Sequence, residues 1–129
     1  MDRPQASDPL RSVTAFDPET IPRSATLTEA AAKMRDLNCS ALLAERRAGG
    51  PAVITERDIV EAVADGGASD WVTDVMTREV IIVDADMTIA DAAQYMLDAG
   101  IRHLVVDAEG RLGIVSVRDL LEPLIESSD

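Results

Sequence analysis

The sequence predicts a mixed α+β fold built from two copies of one β-α-β-β-α unit. One observation is the segment AVITERDIV, residues 52–60, which returns as GIVSVRDLL at residues 113–121. A second is TLTEAAAKM, residues 26–34, which returns as TIADAAQYM at residues 88–96. Because the two segments follow each other in the same order in both copies, the whole unit is duplicated.

The spacing of the copies supports one duplication event. Thr26 corresponds to Thr88 at an offset of 62 residues, and Thr55 corresponds to Ser116 at an offset of 61. The difference of one residue falls in the hairpin loop, which is longer in the first copy. Each copy has about 60 residues and is too small to cover both faces of its sheet, so we expect the copies to pack about a pseudo-twofold axis.

Local patterns predict the elements of the first copy. Thr26 is an N-cap candidate with Glu29 three residues on, and Asn38 suits a helix C-terminus. Short apolar runs flanked by turn residues predict strands. The expected order is a short strand at 19–21, a helix from 26 to about 38, strands at 39–44 and 52–55 joined by a turn at 45–51, and a helix from 57 to about 64 closed by glycines 66–67.

The second copy repeats this order. A connector at 68–77 carries the apolar spacing of a short helix around Trp71, Val75 and Met76. The expected elements are then a strand at 80–83, a helix from 88 to Gly100, strands at 101–106 and 111–116 joined by a turn at 107–110, and a helix from 118 to about 125.

The predicted domain boundaries follow. Residues 1–17 are polar and contain Pro4 and Pro9, so we expect a flexible N-terminal arm or a segment that docks late, which Val13 and Phe16 attach to the body. Repeat 1 covers residues 18–68, and the connector with repeat 2 covers residues 69–129.

Composition excludes several functions. The chain has 24 acidic and 12 basic residues and a net charge of −12, the wrong sign for a nucleic-acid backbone. No apolar run reaches the roughly 20 residues of a membrane span, and no signal-peptide core is present. The single cysteine, Cys39, allows no internal disulfide and is expected to pack in the interior. We expect a soluble, cytoplasmic protein.

No catalytic or metal site is predicted. The sequence has no nucleophile and base at a familiar spacing and no glycine-rich phosphate loop. His103 is the only histidine and lacks a second ligand at helical spacing. The chain is therefore not expected to be an enzyme or to require a cofactor, and a small α/β enzyme ranks last among the hypotheses.

The candidate binding residues lie where a strand meets a helix in each copy. Thr55 and Asp58 in the first copy correspond to Ser116 and Asp119 in the second. A hydroxyl and a carboxylate at a helix start suit a ribose and a phosphate. The same spacing also describes a capping box, in which the two side chains satisfy only their own helix.

These residues resemble a tandem pair of CBS domains, the Bateman module. The resemblance covers nearly everything from about Phe16 onward, and it is most specific at residues 74–107 and 113–121. It implies two β-α-β-β-α units with two clefts between the repeats, and binding of adenosyl compounds: AMP, ADP, ATP, S-adenosylmethionine and, more rarely, NAD.

The resemblance also assigns roles to individual positions. Asp58 and Asp119 would hold ribose hydroxyls, Thr55 and Ser116 would contact sugar or phosphate, and Arg57 and Arg118 would supply charge near phosphates. The adenine pockets would be lined by Thr20, Ile21, Pro22, Ile81, Ile82 and Val83, with Ala41 and His103 beside them. Apart from the resemblance, His103 fits either a half-buried structural role or a ligand contact, and Arg102 either reaches a phosphate or is solvated. Ala52 replaces Gly113 in the first copy, which favours the second pocket over the first.

Two function classes stay open. In the first, a regulatory module binds an adenosyl ligand, and a partner such as a regulated enzyme or transporter reads the resulting change in shape. In the second, the chain is a structural dimerisation module whose helices starting at Arg57 and Arg118 form an interface between two copies. A homodimer is expected in both.

Overall fold

A computed structural model describes residues 3–45, 50–67 and 70–127, with side chains through residue 125. The strands are β1 (Ala15–Phe16), β2 (Thr20–Ile21), β3 (Ala41–Ala44), β4 (Val53–Thr55), β5 (Ile82–Asp84), β6 (His103–Ala108) and β7 (Arg111–Ser116). The α-helices are α1 (Leu27–Leu37), α2 (Glu56–Ala64), α3 (Val72–Val75), α4 (Ile89–Ala99) and α5 (Val117–Ser127), and Leu10–Ser12 form a short 3-10 helix.

The chain divides into two units, and the first comprises residues Pro18–Val80. Its sheet has the order β2-β3-β4, with β2 parallel to β3 and β3 antiparallel to β4. Its core contains Leu27 and Met34 of α1, Ile54 of β4 and Val72 of α3. Apolar side chains at helical spacing thus cover one face of the sheet.

The second unit comprises residues Met1–Asp17 together with Ile81–Asp129. Its sheet has the order β1-β7-β6-β5, with β5 parallel to β6 and the other pairs antiparallel. Leu104, Val115, Ile89 and Leu120 are buried in its core. The predicted α+β fold of two similar repeats is confirmed.

Helices α1 and α4 begin and end as the sequence predicts. The Thr26 hydroxyl accepts a hydrogen bond from the backbone of Glu29, whose carboxylate accepts from the Thr26 backbone, so the capping box is complete. Thr88 caps α4 through the backbone N–H of Asp91. Asn38 and Gly100 end the two helices in the left-handed conformation, which these two residue types tolerate best.

Residues 3–17 of the N-terminal segment are docked, which differs from the expected flexible arm and agrees with the alternative of a docking segment. Of residues 3–17, Ala15 and Phe16 form β1 and pair with β7. Leu10 is fully buried in the core of the second unit. Earlier carbonyl groups accept hydrogen bonds from the first N–H groups of α4, which have no partner within their helix: Ile89 donates to Asp8 and Ala90 to Ala6.

A salt bridge also holds the segment. The Arg11 guanidinium lies 2.6 Å from Oδ1 of Asp86. The hydrogen bond and the negative charge of Asp86 raise the pKa of Arg11 above its usual value. Both side chains are exposed, so their contribution to stability is small.

Residues 70–77 hold the corresponding place in the first unit. Leu27 of α1 donates its N–H to the carbonyl of Asp70, as Ile89 donates to Asp8. Val72 is fully buried, as Leu10 is in the other unit. Thr77 pairs with Val53, where Ala15 pairs with Ile114. The sequence analysis assigned this connector to repeat 2, but it packs with residues of repeat 1, so each repeat receives a leading segment from the residues preceding the other.

Element boundaries differ modestly from those expected. β5 starts at Ile82 rather than Val80, and β6 extends to Ala108, so the turn contains only Glu109 and Gly110. Part of the expected turn at 45–51, residues 46–49, lies outside the described residues, as do residues 68–69 of the connector and 1–2 of the arm. None of the described helices is both long and apolar enough to cross a bilayer.

Candidate ligand-binding site

The Ser116 and Asp119 corner forms at the junction of β7 and α5. The Ser116 N–H donates to Oδ2 of Asp119 at 2.8 Å, and the Asp119 N–H donates to the Ser116 hydroxyl at 3.3 Å. The hydroxyl also donates to Oδ2 at 3.1 Å. The capping alternative therefore holds locally, and it uses one of the two carboxylate oxygens.

The Thr55 and Asp58 corner has the same arrangement at the start of α2. The Thr55 N–H donates to Oδ2 of Asp58 at 3.0 Å, and the Asp58 N–H donates to the Thr55 hydroxyl at 3.1 Å. The Thr77 hydroxyl lies 3.5 Å from Oδ1 and 3.4 Å from Oδ2 of Asp58. Both oxygens of this half-buried carboxylate thus face a polar group of the protein.

The two corners differ in how much of the carboxylate is left for a ligand. Ala15 occupies the position of Thr77 in the second unit, and its methyl group cannot donate a hydrogen bond. Among the described residues, Oδ1 of Asp119 has no hydrogen-bond partner, and Asp119 is exposed. A carboxylate oxygen of this kind is free to accept from a sugar hydroxyl.

Asp119 lines a cavity of about 290 Å³ on the second unit. Arg118, Glu122 and Pro123 of α5 line it with Asp119, and Arg3, Pro4 and Val13 of the N-terminal segment line the other side. The carboxylate therefore shares this cavity with two guanidinium groups.

Strand register places two further predicted residues beside the corners. His103 of β6 lies opposite Ser116 of β7, and Ala41 of β3 lies opposite Thr55 of β4. His103 and Ser116 are both half-buried. His103 and Ala41 are therefore equivalent neighbours of the two corners, although Ala41 brings no polar group.

The residues expected to line adenine pockets are placed less uniformly. Ile21 and Val83 belong to the hydrophobic cores, so their side chains serve packing. Thr20, Pro22 and Ile82 are exposed, and Ile81 is half-buried against the core. The carbonyl of Ile81 accepts a hydrogen bond from Val105. In the second unit, β5 is displaced along the sheet from the corner, because Ile82 lies opposite Val105, two residues after His103.

The three predicted arginines also differ in their contacts. Arg57 pairs with Glu61 one helical turn further on, at 3.0 Å. Arg102 is exposed, and its carbonyl accepts from Val117 at the start of α5. Arg118 is exposed and, within the described part of the chain, forms no salt bridge. Arg118 is therefore the predicted arginine placed to meet an anion in the cavity.

Two residues near the corners were missed by the sequence analysis. Arg3 lines the cavity from a segment that was expected to be flexible, and Thr77 reaches Asp58 from the connector. Ser7-Asp8 recurs as Ser69-Asp70 at the same offset of 62 residues. This recurrence is the sequence signal that the N-terminal segment and the connector are equivalent parts of the repeat. No group of three or more His, Cys, Asp or Glu side chains within the described ranges is placed to hold a metal ion.

The sequence matches the CBS domain family twice, over residues 10–65 and 72–126. Both matches begin within the leading segments and cover most of the chain. The chain therefore belongs to the CBS-domain family, as a tandem CBS pair.

Curated relatives extend the comparison. An uncharacterized 17.7 kDa protein of Acidianus ambivalens is 39% identical over 106 residues, which are 78% of this chain and 63% of that protein. The CBS domain-containing protein YhcV of Bacillus subtilis is 32% identical over 104 residues, which are 78% of this chain and 74% of YhcV. A Methanopyrus kandleri protein is 39% identical over 103 residues, which are 75% of this chain and 53% of that protein. The chain thus spans less than two thirds of the two archaeal relatives.

Solved structures share the fold over nearly all of the chain. The CBS-domain protein ATU1752 of Agrobacterium tumefaciens superposes with a TM-score of 0.80 at 25% identity, covering 95% of this chain and 98% of that one. PAE2072 of Pyrobaculum aerophilum, in complex with AMP, superposes with a TM-score of 0.75 at 29% identity, covering 93% and 98%. A hexameric CBS-CP12 protein from bloom-forming cyanobacteria gives 0.79 at 27% identity, covering 90% and 67%.

Proposed function

We propose that the chain is a regulatory module that binds an adenosyl ligand, namely AMP, ADP, ATP or S-adenosylmethionine, and couples binding to a conformational change or a partner interaction. One observation carries the proposal: Asp119, with one carboxylate oxygen unengaged among the described residues, and Arg118 line the same cavity. The proposed role is regulatory and involves no catalysis.

The chemistry of the corner fits an adenosine nucleotide. The free oxygen of Asp119 accepts from a ribose hydroxyl while the other oxygen keeps the cap of α5 intact. Arg118 donates to a phosphate close to the N-terminus of α5, where the helix dipole also favours an anion. The half-buried His103 lies opposite Ser116 of this corner in the sheet. AMP bound to PAE2072 supports this ligand class.

The corner at Asp58 is proposed as a second, weaker site. Its carboxylate is contacted by Thr77, and Arg57 is paired with Glu61. A ligand must displace these contacts before it gains its own. We therefore expect one ligand to occupy the site at Asp119 at concentrations that leave the site at Asp58 empty.

Calorimetric titration with AMP, ATP and S-adenosylmethionine tests the proposal. Asp119→Asn keeps an oxygen for the cap but removes the charge, and we expect it to weaken binding about tenfold or more, the scale of a charged hydrogen bond. Asp91→Asn is the matched control, because Asp91 has the same position and charge at the start of α4 but does not line the cavity. An absence of heat with all three ligands in the wild-type protein would refute the proposal.

A specific observation favours a second function, an interaction module. Val60 and Val63 of α2 are 65% and 51% exposed, and Leu121 and Ile125 of α5 are 50% and 63% exposed. Apolar helix positions of this kind are typical of an interface. The hexameric CBS-CP12 protein is a structural neighbour that assembles.

Light scattering after size-exclusion chromatography tests this second function. If the helices form a homodimer, Leu121→Lys will shift the mass to that of the monomer, whereas Leu97→Lys, at an exposed position of α4, will not. A monomeric wild-type protein that binds nucleotide would exclude dimerisation as the primary function.

A further inference from the structure

The docked N-terminal segment has two parts that are held in different ways. Residues 10–17 are anchored, because Leu10 is fully buried, Val13 and Phe16 pack against the core of the second unit, and β1 pairs with β7. None of residues 3–9, which we call the strap, is fully buried. A segment with few buried apolar contacts opens at a lower free energy than the core does. The strap therefore depends on hydrogen bonds more than on burial.

The strap lies along the first turn of α4. The Ile89 N–H donates to the carbonyl of Asp8 at 2.9 Å, and the Ala90 N–H donates to the carbonyl of Ala6 at 2.9 Å. The first N–H groups of a helix have no acceptor within the helix itself. The protection of these two N–H groups from water therefore depends on whether the strap is docked.

A turn within the strap fixes the direction of these two carbonyl groups. The Asp8 N–H donates to the carbonyl of Gln5 at 3.0 Å, and the Gln5 N–H donates to Oδ2 of Asp8 at 2.8 Å. Residues 5–8 thus close the turn and also supply both acceptors for α4. Loss of the turn releases both acceptors together.

The strap is also one wall of the cavity that holds Asp119. Arg3 and Pro4 line the cavity from the strap, and Asp119 and Pro123 line it from α5. Helix α5 is fixed in the core by the fully buried Leu120, so the strap is the wall that can move. A ligand that touches both walls binds the docked state more tightly than the undocked state, and this difference in affinity shifts the population.

We propose that the strap docks and undocks as one unit and that a ligand in the cavity favours the docked state. This inference rests on the proposed function and adds the regulation of its site. Occupancy of the cavity is coupled to the start of α4 through the carbonyl groups of Ala6 and Asp8. Undocking removes one wall of the cavity and exposes the N–H groups of Ile89 and Ala90. The coupling is reciprocal, so whatever holds the strap docked also strengthens ligand binding.

Hydrogen exchange of the full chain, measured by NMR with and without ligand, tests the inference. Of AMP, ATP and S-adenosylmethionine, the compound that binds most tightly in calorimetry is added at about ten times its dissociation constant. We expect exchange at Ile89 and Ala90 to slow about fivefold to tenfold, because a ligand that binds only the docked state lowers the undocked fraction by the factor 1 + [L]/Kd. Leu27, whose N–H donates to Asp70 in the first unit, is the internal control and slows less.

The variant Asp8→Ala tests the turn without a ligand. It removes the carboxylate that closes the turn but keeps the carbonyl that accepts from Ile89. We expect exchange at Ile89 and Ala90 to accelerate about threefold to tenfold, the scale of one hydrogen bond. Asp98→Ala is the matched control and leaves these rates unchanged, because it removes an exposed carboxylate of α4 that accepts from Gln94 and does not line the cavity. An unchanged thermal unfolding midpoint checks that both variants fold.

The outcomes separate this inference from the proposed function. If a ligand binds in calorimetry and exchange at Ile89 and Ala90 is unchanged, accelerates, or slows no more than at Leu27, the coupling is refuted and the proposed function stands. Exchange at Ile89 and Ala90 as slow as at the buried Val105 of β6 in the ligand-free protein would refute a strap that undocks by itself. No binding of any of the three compounds to wild type refutes both.

Discussion

Gly113 is required by the close approach of the N-terminal segment to β7. A Cβ added there would lie 2.5 Å from Cγ2 of Thr14 and 2.7 Å from the carbonyl oxygen of Ala15. Ala52 holds the equivalent place in the first unit and is buried without such a conflict. The difference from Ala52, which the sequence analysis connected with ligand binding, therefore has a packing cause.

We expect Gly113→Ala to lower the free energy of unfolding by about 1–3 kcal/mol, because the added methyl group displaces β1 from β7. Urea denaturation followed by circular dichroism measures this. Gly110→Ala is a partial control, because its Cβ would meet nothing within 4 Å but its φ of 93° is strained for alanine. Faster hydrogen exchange at Asp17, whose N–H donates to the carbonyl of Leu112, in Gly113→Ala alone would locate the effect, and unchanged stability would contradict it.

The Cys39 thiol gives a pH-dependent prediction. Partial burial raises the pKa of Cys39 above its usual value, and the negative charge of Glu56 adds to the shift. Less thiolate therefore forms in the folded protein than in the unfolded chain at the same pH. The folded state holds this proton more tightly than the unfolded state does. The free energy of unfolding therefore falls as the pH rises past the pKa of the thiol in the unfolded chain.

We expect iodoacetamide to modify Cys39 more slowly in the folded protein than in urea at pH 8, with the rate profile displaced to higher pH. The pH dependence of the modification rate is a sharper test than the rate at one pH. Steric shielding of Cys39 slows the reaction but does not shift its pH dependence. A folded-state profile that overlays the unfolded one would contradict the raised pKa.

Helices α1 and α4 both end at a residue in the left-handed conformation, and they use different residue types there. Gly100 has a φ of 67° and Asn38 a φ of 53°. An added Cβ at Gly100 meets nothing within 4 Å, so alanine there is strained only through its backbone. Substitutions at Gly100 and Asn38 therefore measure the free-energy cost of a left-handed C-cap separately from the effect of side-chain packing.

Gly100→Ala is expected to cost about 1–2 kcal/mol of stability, the penalty of a left-handed L-residue, and Asn38→Gly is expected to be neutral or mildly stabilising. Chemical denaturation of both variants measures the difference. Equal effects of the two substitutions would show that side-chain contacts dominate at these ends.

Elements with local signals were predictable from the sequence. The start of α1 is marked in the sequence by the capping pair Thr26 and Glu29, and the end of α4 is marked by Gly100. The strands β3, β4, β6 and β7 have apolar runs flanked by turns. The equivalence of Thr55 with Ser116 and of Asp58 with Asp119 came from the repeat, and the structure gives both pairs the same cap.

What the sequence analysis missed depends on partners far along the chain. Leu10 is buried because α4 and the strands β5, β6 and β7 of the second unit are made from residues 72 to 106 positions later. Polar, proline-containing sequence around Leu10 resembles a free arm until those partners are known. Arg3 and Thr77 reach the candidate sites for the same reason, so local pattern does not reveal them, and the repeat of Ser7-Asp8 as Ser69-Asp70 was the only signal for their segments that we found in the sequence.

At the scale of the whole molecule, Leu10 should contribute as much as a core residue. We expect Leu10→Ala to lower stability by about 2–5 kcal/mol, the range for a large apolar side chain removed from a packed interior. Arg11→Ala is the control, since it removes only an exposed salt bridge. Hydrogen exchange should accelerate in β7 and at the start of α4, and a loss no larger than that of Arg11→Ala would contradict docking of the segment.

The docking of residues 3–17 on β7 and α4 has a consequence for biosynthesis. As the ribosome elongates the chain, Pro18–Val80 emerges as a set that contains its own sheet and helices, and it can fold while synthesis continues. Residues 3–17, including the apolar Leu10, are made before this unit, whereas their partner strand β7 is made after it. The order of translation and the order of folding therefore differ for residues 3–17.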